Sequence, residues 1–168
     1  MPETTELSQK ELATKLTRRF VLWSMGGSII PIPFIDLATV IGVQIKLIAE
    51  MSKIYGLRFE KNRVKGIVAP LIGSIGLAPA GTVVLGSLVK VIPGIGGLLC
   101  AVSLPVVVGA VTYATGRVFI AHFESGGTLL NFNAEEAKEA FKEHFEEGKT
   151  VAKEMKASED AAKAAPKK

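Results

Sequence analysis

The stretch SLVKVIPGIGG (residues 87–97) decides the fold. Its Lys90 is the only charged residue across residues 66–116. Either this lysine sits at a short turn between two membrane-crossing helices, or it is a charge inside one long apolar domain. The uncharged runs on its two sides are 24 and 26 residues long. A bilayer-spanning helix needs about 20 apolar residues at about 1.5 Å each, so either run suffices. A soluble protein can bury an all-apolar helix. Covering 51 residues with one charge, however, needs a thick shell, and the rest of the chain is tails and amphipathic segments. Membrane insertion is therefore the expectation.

The turn chemistry agrees. Pro93 and Gly94 suit the two central positions of a type II turn, and Gly96 and Gly97 keep the following chain adaptable. Helices are expected over about 62–90 and 97–123. Pro70, Pro79 and Pro105 would damage a water-exposed helix, but neighbouring helices tolerate them in a membrane. Small side chains recur every four residues: Gly66, Pro70, Ser74, Ala78, Thr82 and Gly86 in the first run, and Gly97, Ala101, Pro105 and Gly109 in the second. Such stripes allow close helix packing, within the hairpin or between protomers. The pattern is permissive, and glycine-rich sequence also yields it by chance.

Flanking charge orients the hairpin. Lys61, Arg63 and Lys65 precede it and Arg117 follows it, while Lys90 stands alone at the tip. Positive residues favour the cytoplasmic side, which places both termini in the cytoplasm.

Outside the apolar runs the pattern is amphipathic. Ser8 and Glu11 have capping-box spacing. Leu12, Leu16, Phe20 and Trp23 then share one helical face, with Lys10, Lys15, Arg18 and Arg19 on others. Arg18, Arg19, Phe20 and Trp23 read as a membrane-interface set, or the helix docks on another helix of the same chain. Pro31 and Pro33 interrupt any helix before Asp36, a suitable N-cap for a helix over 37–55 that carries Gln44 and ends at Gly56. Residues 20–45 carry only Asp36 as a charge, but the two prolines split them into pieces too short to cross. They are expected at the interface.

Gly126 and Gly127 end the second long helix. Asn133 and Glu136 then open a charged helix with an alanine-rich stripe through Ala137, Ala140, Phe141, His144, Phe145, Val151, Ala152 and Met155. This stripe suits contact with protein better than with lipid. His122 and His144 are far apart in sequence, with no obvious partners. The organisation expected is thus residues 1–35 as an N-terminal amphipathic helix and proline-containing lead-in, 36–127 as the core membrane domain, 128–157 as the charged helix and 158–168 as a disordered tail.

No enzyme chemistry is legible. No phosphate loop, dinucleotide fingerprint, zinc-protease helix or nucleophile elbow is present. No catalytic residue, cofactor or metal site is expected. Cys100, the sole cysteine, reads as a small apolar side chain. A net charge of +4 without a basic, aromatic-interleaved stripe does not point to nucleic acid.

Two stretches together resemble a known family. PIPFIDLATVIGVQIKLIAEMSKIYG and KVIPGIGGLLCAVSLPVVVGAVTYATGRVFIAHFESGG are similar to the YcjF-like, GTPase-associated bacterial membrane domain of unknown function. The matching positions are Pro31, Pro33, Asp36, Gln44, Tyr55, Gly56, Pro93, Gly94, Gly96, Thr112 and Gly116. The resemblance implies a Gly/Ala-rich hairpin in a bacterial inner (cytoplasmic) membrane. Because some relatives carry an Era-like GTPase domain ahead of it, it also implies a GTPase link that in this chain acts in trans.

The reading is an all-α, membrane-inserted helical hairpin of two Gly/Ala-rich transmembrane helices flanked by amphipathic helices. The function expected is a non-enzymatic membrane scaffold, binding lipid and self-associating into a homo-oligomer that organises or shapes the bilayer. The alternatives are a pore-type oligomer, or an anchor that recruits a soluble partner such as a GTPase through the C-terminal helix.

Overall fold

A computed structural model describes residues 8–26, 37–76 and 104–164. Five helices are present among them: α1 (Gln9–Gly26), α2 (Leu37–Ile54), α3 (Lys61–Ser74), α4 (Leu104–Glu124) and α5 (Ala134–Ala164). No strand occurs among the described residues. The expected hairpin tip (Lys90, Pro93, Gly94, Gly96, Gly97), Ala78, Thr82, Gly86, Ala101 and Cys100 lie outside them, as do Pro31, Pro33 and Asp36.

Local chemistry sets the helix ends. At the start of α1 the Ser8 amide donates to Glu11 Oε2 at 2.9 Å, and the Glu11 amide donates to Ser8 Oγ at 3.2 Å. This capping box satisfies two otherwise orphaned donors. The Ser8 amide, and then its hydroxyl, holds the Glu11 carboxyl below the usual carboxylate range. α2 ends in a Schellman turn: Gly56 adopts φ 65° and the Leu57 amide donates to the Ser52 carbonyl at 2.8 Å. α4 ends likewise, with Gly126 at φ 81° and the Gly127 amide on the His122 carbonyl at 2.9 Å. Asn133 Oδ1 caps α5 by accepting the Glu135 amide at 3.1 Å.

Two expected boundaries are corrected. The continuous helix over 62–90 does not form, because α3 stops at Ser74 and Gly76 turns the chain at φ 81°. At 14 residues α3 is about 21 Å long, short of a hydrocarbon core of about 30 Å. The charged C-terminal helix does not give way to a tail at residue 158. It continues to Ala164, helped by alanines of high helix propensity and by a Lys163–Glu159 pair one turn apart. Of the second expected helix, residues 104–123 lie in α4; residues 97–103 fall outside the described set.

α4 is the centre of the packing. Val106, Val108, Ala110, Val111, Ala114 and Phe119 are buried along it. Among the described residues it is the one helix long and apolar enough to cross a membrane, yet 78% of it is buried inside the chain. Its neighbours are α1, α2 and α5, and α3 bridges α2 and α5. Those neighbours turn charged residues outward, so α4 meets protein over most of its surface. One such helix among the described residues does not confirm the expected two-span hairpin.

Candidate functional site

The direction of each helix against α4 follows from its contacts. Thr17, Ser24 and Met25 of α1 lie against Gly116, Thr112 and Gly109, so α1 is antiparallel to α4. Gln44 reaches Thr112 and Tyr55 reaches Glu124, so α2 is parallel. Glu147 meets Tyr113 and Ala152 faces Gly109, so α5 is antiparallel. α3 begins at the far end, where Arg63 Nη1 donates to the Leu130 carbonyl at 3.1 Å, and turns back along α2. The last residue of α1, the first of α2, the end of α3 and the start of α4 therefore all lie toward one end of the bundle. These helix ends border residues 27–36 and 77–103, each nearly uncharged in sequence.

A buried polar node holds three of these four elements together. Gln44 Nε2 donates to Thr112 Oγ1 at 3.1 Å, and Ser24 Oγ lies 3.3 Å from the same oxygen. Thr112 passes its own hydrogen to the Val108 carbonyl at 2.9 Å. Gln44 and Thr112 are both fully buried. Gln44 Oε1 has no hydrogen-bond partner among the described residues. A buried amide is retained in a core when it specifies one packing, because any other rotation of α2 would leave more of it unpaired.

Small residues set the closest crossings. A side chain at Gly148 of α5 would meet the Ala110 carbonyl oxygen of α4 at 2.9 Å. One at Gly109 would meet Met25 at 2.9 Å and Ala152 at 3.1 Å, and one at Gly116 would collide with Thr17. Of the expected packing residues, then, Gly109 packs within the chain, while Pro70, Ser74 and Pro105 are half-buried. Gly66 is exposed and has nothing near it. The Gly66 stripe is not an intrachain seam at that position. Gly148 was not foreseen, although Gly148 and Ala152 repeat the small-xxx-small spacing inside the charged helix.

The expected interface residues divide. Arg18, Arg19 and Trp23 are exposed on α1, whereas Phe20 turns inward at 4% exposure. Lys61, Arg63 and Lys65 are exposed at the start of α3, away from the end that borders the apolar stretches. Arg117 is part-buried along α4, near Glu147, with Nε unpartnered among the described residues. Neither histidine is isolated: His122 Nε2 lies 2.9 Å from the Thr128 carbonyl, and His144 Nδ1 lies 2.9 Å from Glu147 Oε2. The pairing with His144 is the main cause holding the Glu147 carboxyl low. Both histidines line one open cavity of about 260 Å³ beside Phe132. No cluster of metal-ligating side chains occurs among the described residues.

Residues 5–150 match the family described as a domain of unknown function, DUF697. This chain belongs to that family. The match takes in the polar node, the crossings along α4 and the first half of α5. A relative, Magnetosome membrane protein 22 of Magnetospirillum gryphiswaldense, is 37% identical over 161 residues, covering 96% of this chain and 83% of the relative. No solved structure matches. Family membership agrees with the resemblance to a bacterial domain of unknown function carried by Gln44, Gly56, Thr112 and Gly116. The structure brings Gln44 and Thr112 into direct contact.

Proposed function

We propose that this chain is a non-enzymatic bacterial membrane protein that inserts residues 77–103 into the bilayer from one end of a helical bundle and organises the membrane around it. The carrying observation is that the helix ends bordering both apolar stretches share one end of the bundle. Length then constrains the insertion. Residues 77–103 leave and return on one side, so as helices each arm is about 20 Å, less than a hydrocarbon core of about 30 Å. A segment that enters and turns back expands one leaflet more than the other, which is the geometry of a wedge. The membrane-protein relative supports the same reading. Self-association, with the Gly66 face free to meet a second copy, makes the wedge a scaffold. The bundle and both termini stay on the cytoplasmic side.

The experiment is membrane extraction. Wild-type protein should sediment with membranes and resist alkaline carbonate. A variant with residues 77–103 replaced by a Gly/Ser linker of equal length should keep its helicity and be released. Release of the wild type would overturn insertion. Reconstituted protein that stays monomeric and leaves vesicle shape unchanged would overturn the scaffold.

A further inference from the structure

The outer surface shared by α1 and α2 sets exposed apolar side chains among cations. Trp23 is 54% exposed and Leu12 40%, although α1 already buries a complete apolar face through Ala13, Leu16, Phe20 and Val21. The helix is thus apolar on two sides. Between the exposed apolar residues stand Lys15 and Arg19, and α2 adds Lys46 and Lys53. Lys46 lies over the Trp23 ring at 5.2 Å. Glu11 and Glu50 lie among these four cations, and each is engaged: Glu11 in the cap of α1, Glu50 with Arg19 at 2.9 Å. Arg18 and Leu22 turn instead to the groove that α1 shares with Glu154 and Glu159 of α5. Trp23 sits near the end of α1, at the bundle end that borders the apolar stretches.

We infer that the α1–α2 outer face lies on an anionic lipid surface, with Trp23 at headgroup depth and Lys15, Lys46 and Lys53 paired to lipid phosphates. The inference rests on the membrane insertion proposed above and adds the side on which the bundle lies. An exposed tryptophan flanked by cations is the composition of an interfacial helix. Cations near an anionic leaflet are attracted to it within about a Debye length. The opposite side is excluded by charge, because α5 carries nine acidic residues against six lysines. End-on docking is excluded by shape. α5 pairs Ala152 with Gly109, so its last two turns run past the start of α4. Docking on that end would press Glu159, Asp160 and Lys163 into the bilayer. Lying on α1 and α2 keeps them in water.

Trp23 is the only tryptophan, so the full-length wild-type chain carries its own probe. The protein is reconstituted in phosphatidylcholine vesicles with and without phosphatidylglycerol. Lipids brominated high on the acyl chain should quench Trp23, iodide should not, and phosphatidylglycerol should strengthen the lipid quenching. The exposed-site variant Lys15→Glu/Lys46→Glu/Lys53→Glu should still float with the vesicles but lose that phosphatidylglycerol dependence. Flotation with Trp23 open to iodide would overturn the docking face alone, as would equal quenching in both lipids. Failure to float would overturn insertion itself.

Discussion

Gln44 on α2 and Thr112 on α4, 68 positions apart, share a hydrogen bond of 3.1 Å that is closed to solvent at both ends. The bond fixes the rotation of α2 against the central helix, and through Ser24 it also fixes α1. Thr112→Val keeps the shape but strands the Gln44 amide. The variant should lose about 1–3 kcal/mol of stability by denaturant unfolding. Adding Gln44→Leu removes the stranded group, so the double variant should recover much of the loss. A double variant as weak as the sum of its parts would show that the two side chains do not interact.

The α5–α4 crossing makes a second, independent prediction. Gly148→Ala drives a methyl against the Ala110 backbone, which has no flexible end to move. The expected loss is about 1–3 kcal/mol. Gly66→Ala is the contrasting case, because its added methyl meets nothing and it lies inside α3. Stability of the single chain should rise by up to about 1 kcal/mol. Thermal unfolding of both variants compares them directly. If the Gly66 face joins protomers, the same Gly66→Ala variant should also shrink the assembly seen by native mass.

Alkaline pH reports on the other end of the bundle. Tyr55 Oη donates to Glu124 Oε1 at 2.6 Å, joining the ends of α2 and α4. Desolvation, and then this bond to a carboxylate, push the phenol above its ordinary value of 10. A raised folded pKa holds its proton more tightly than the unfolded chain does. The stabilisation is therefore complete below about pH 10 and lost as pH rises beyond it. Tyr55→Phe has no such proton, so its stability should fall less steeply above that pH. Equal alkaline slopes would remove Tyr55 from the account.

Local signals were legible in the sequence where one turn of chain contains the whole interaction. Ser8 with Glu11, Asn133 with Glu136, and Gly56 and Gly126 at helix ends all follow from spacing alone. The extent of α2 was legible too: a helix over 37–55 ending at Gly56 is expected, and α2 runs Leu37–Ile54 with Gly56 at φ 65°. What hydropathy does not reveal is whether an apolar helix meets lipid or protein, and α4 meets protein. Its covering helices are amphipathic and lie at both ends of the chain, so no window of sequence contains them. Gly148 escaped notice because lysines and glutamates surround it, although its contact face is as small as any in the apolar runs.

Cys100, the sole cysteine, tests the insertion without any substitution. It lies in the apolar stretch that returns to α4 at Leu104, and the proposed insertion puts it in hydrocarbon. A thiol in hydrocarbon is hidden from a charged reagent in water but open to one that dissolves in lipid. In sealed vesicles a sulfonated maleimide should leave Cys100 unmodified, N-cyclohexylmaleimide should modify it, and both should react after unfolding in detergent. Burial inside the protein would block both reagents, whereas exposure to water would admit both. Either of those patterns would remove residues 77–103 from the bilayer, and only selective reaction with the lipid-soluble reagent supports their insertion.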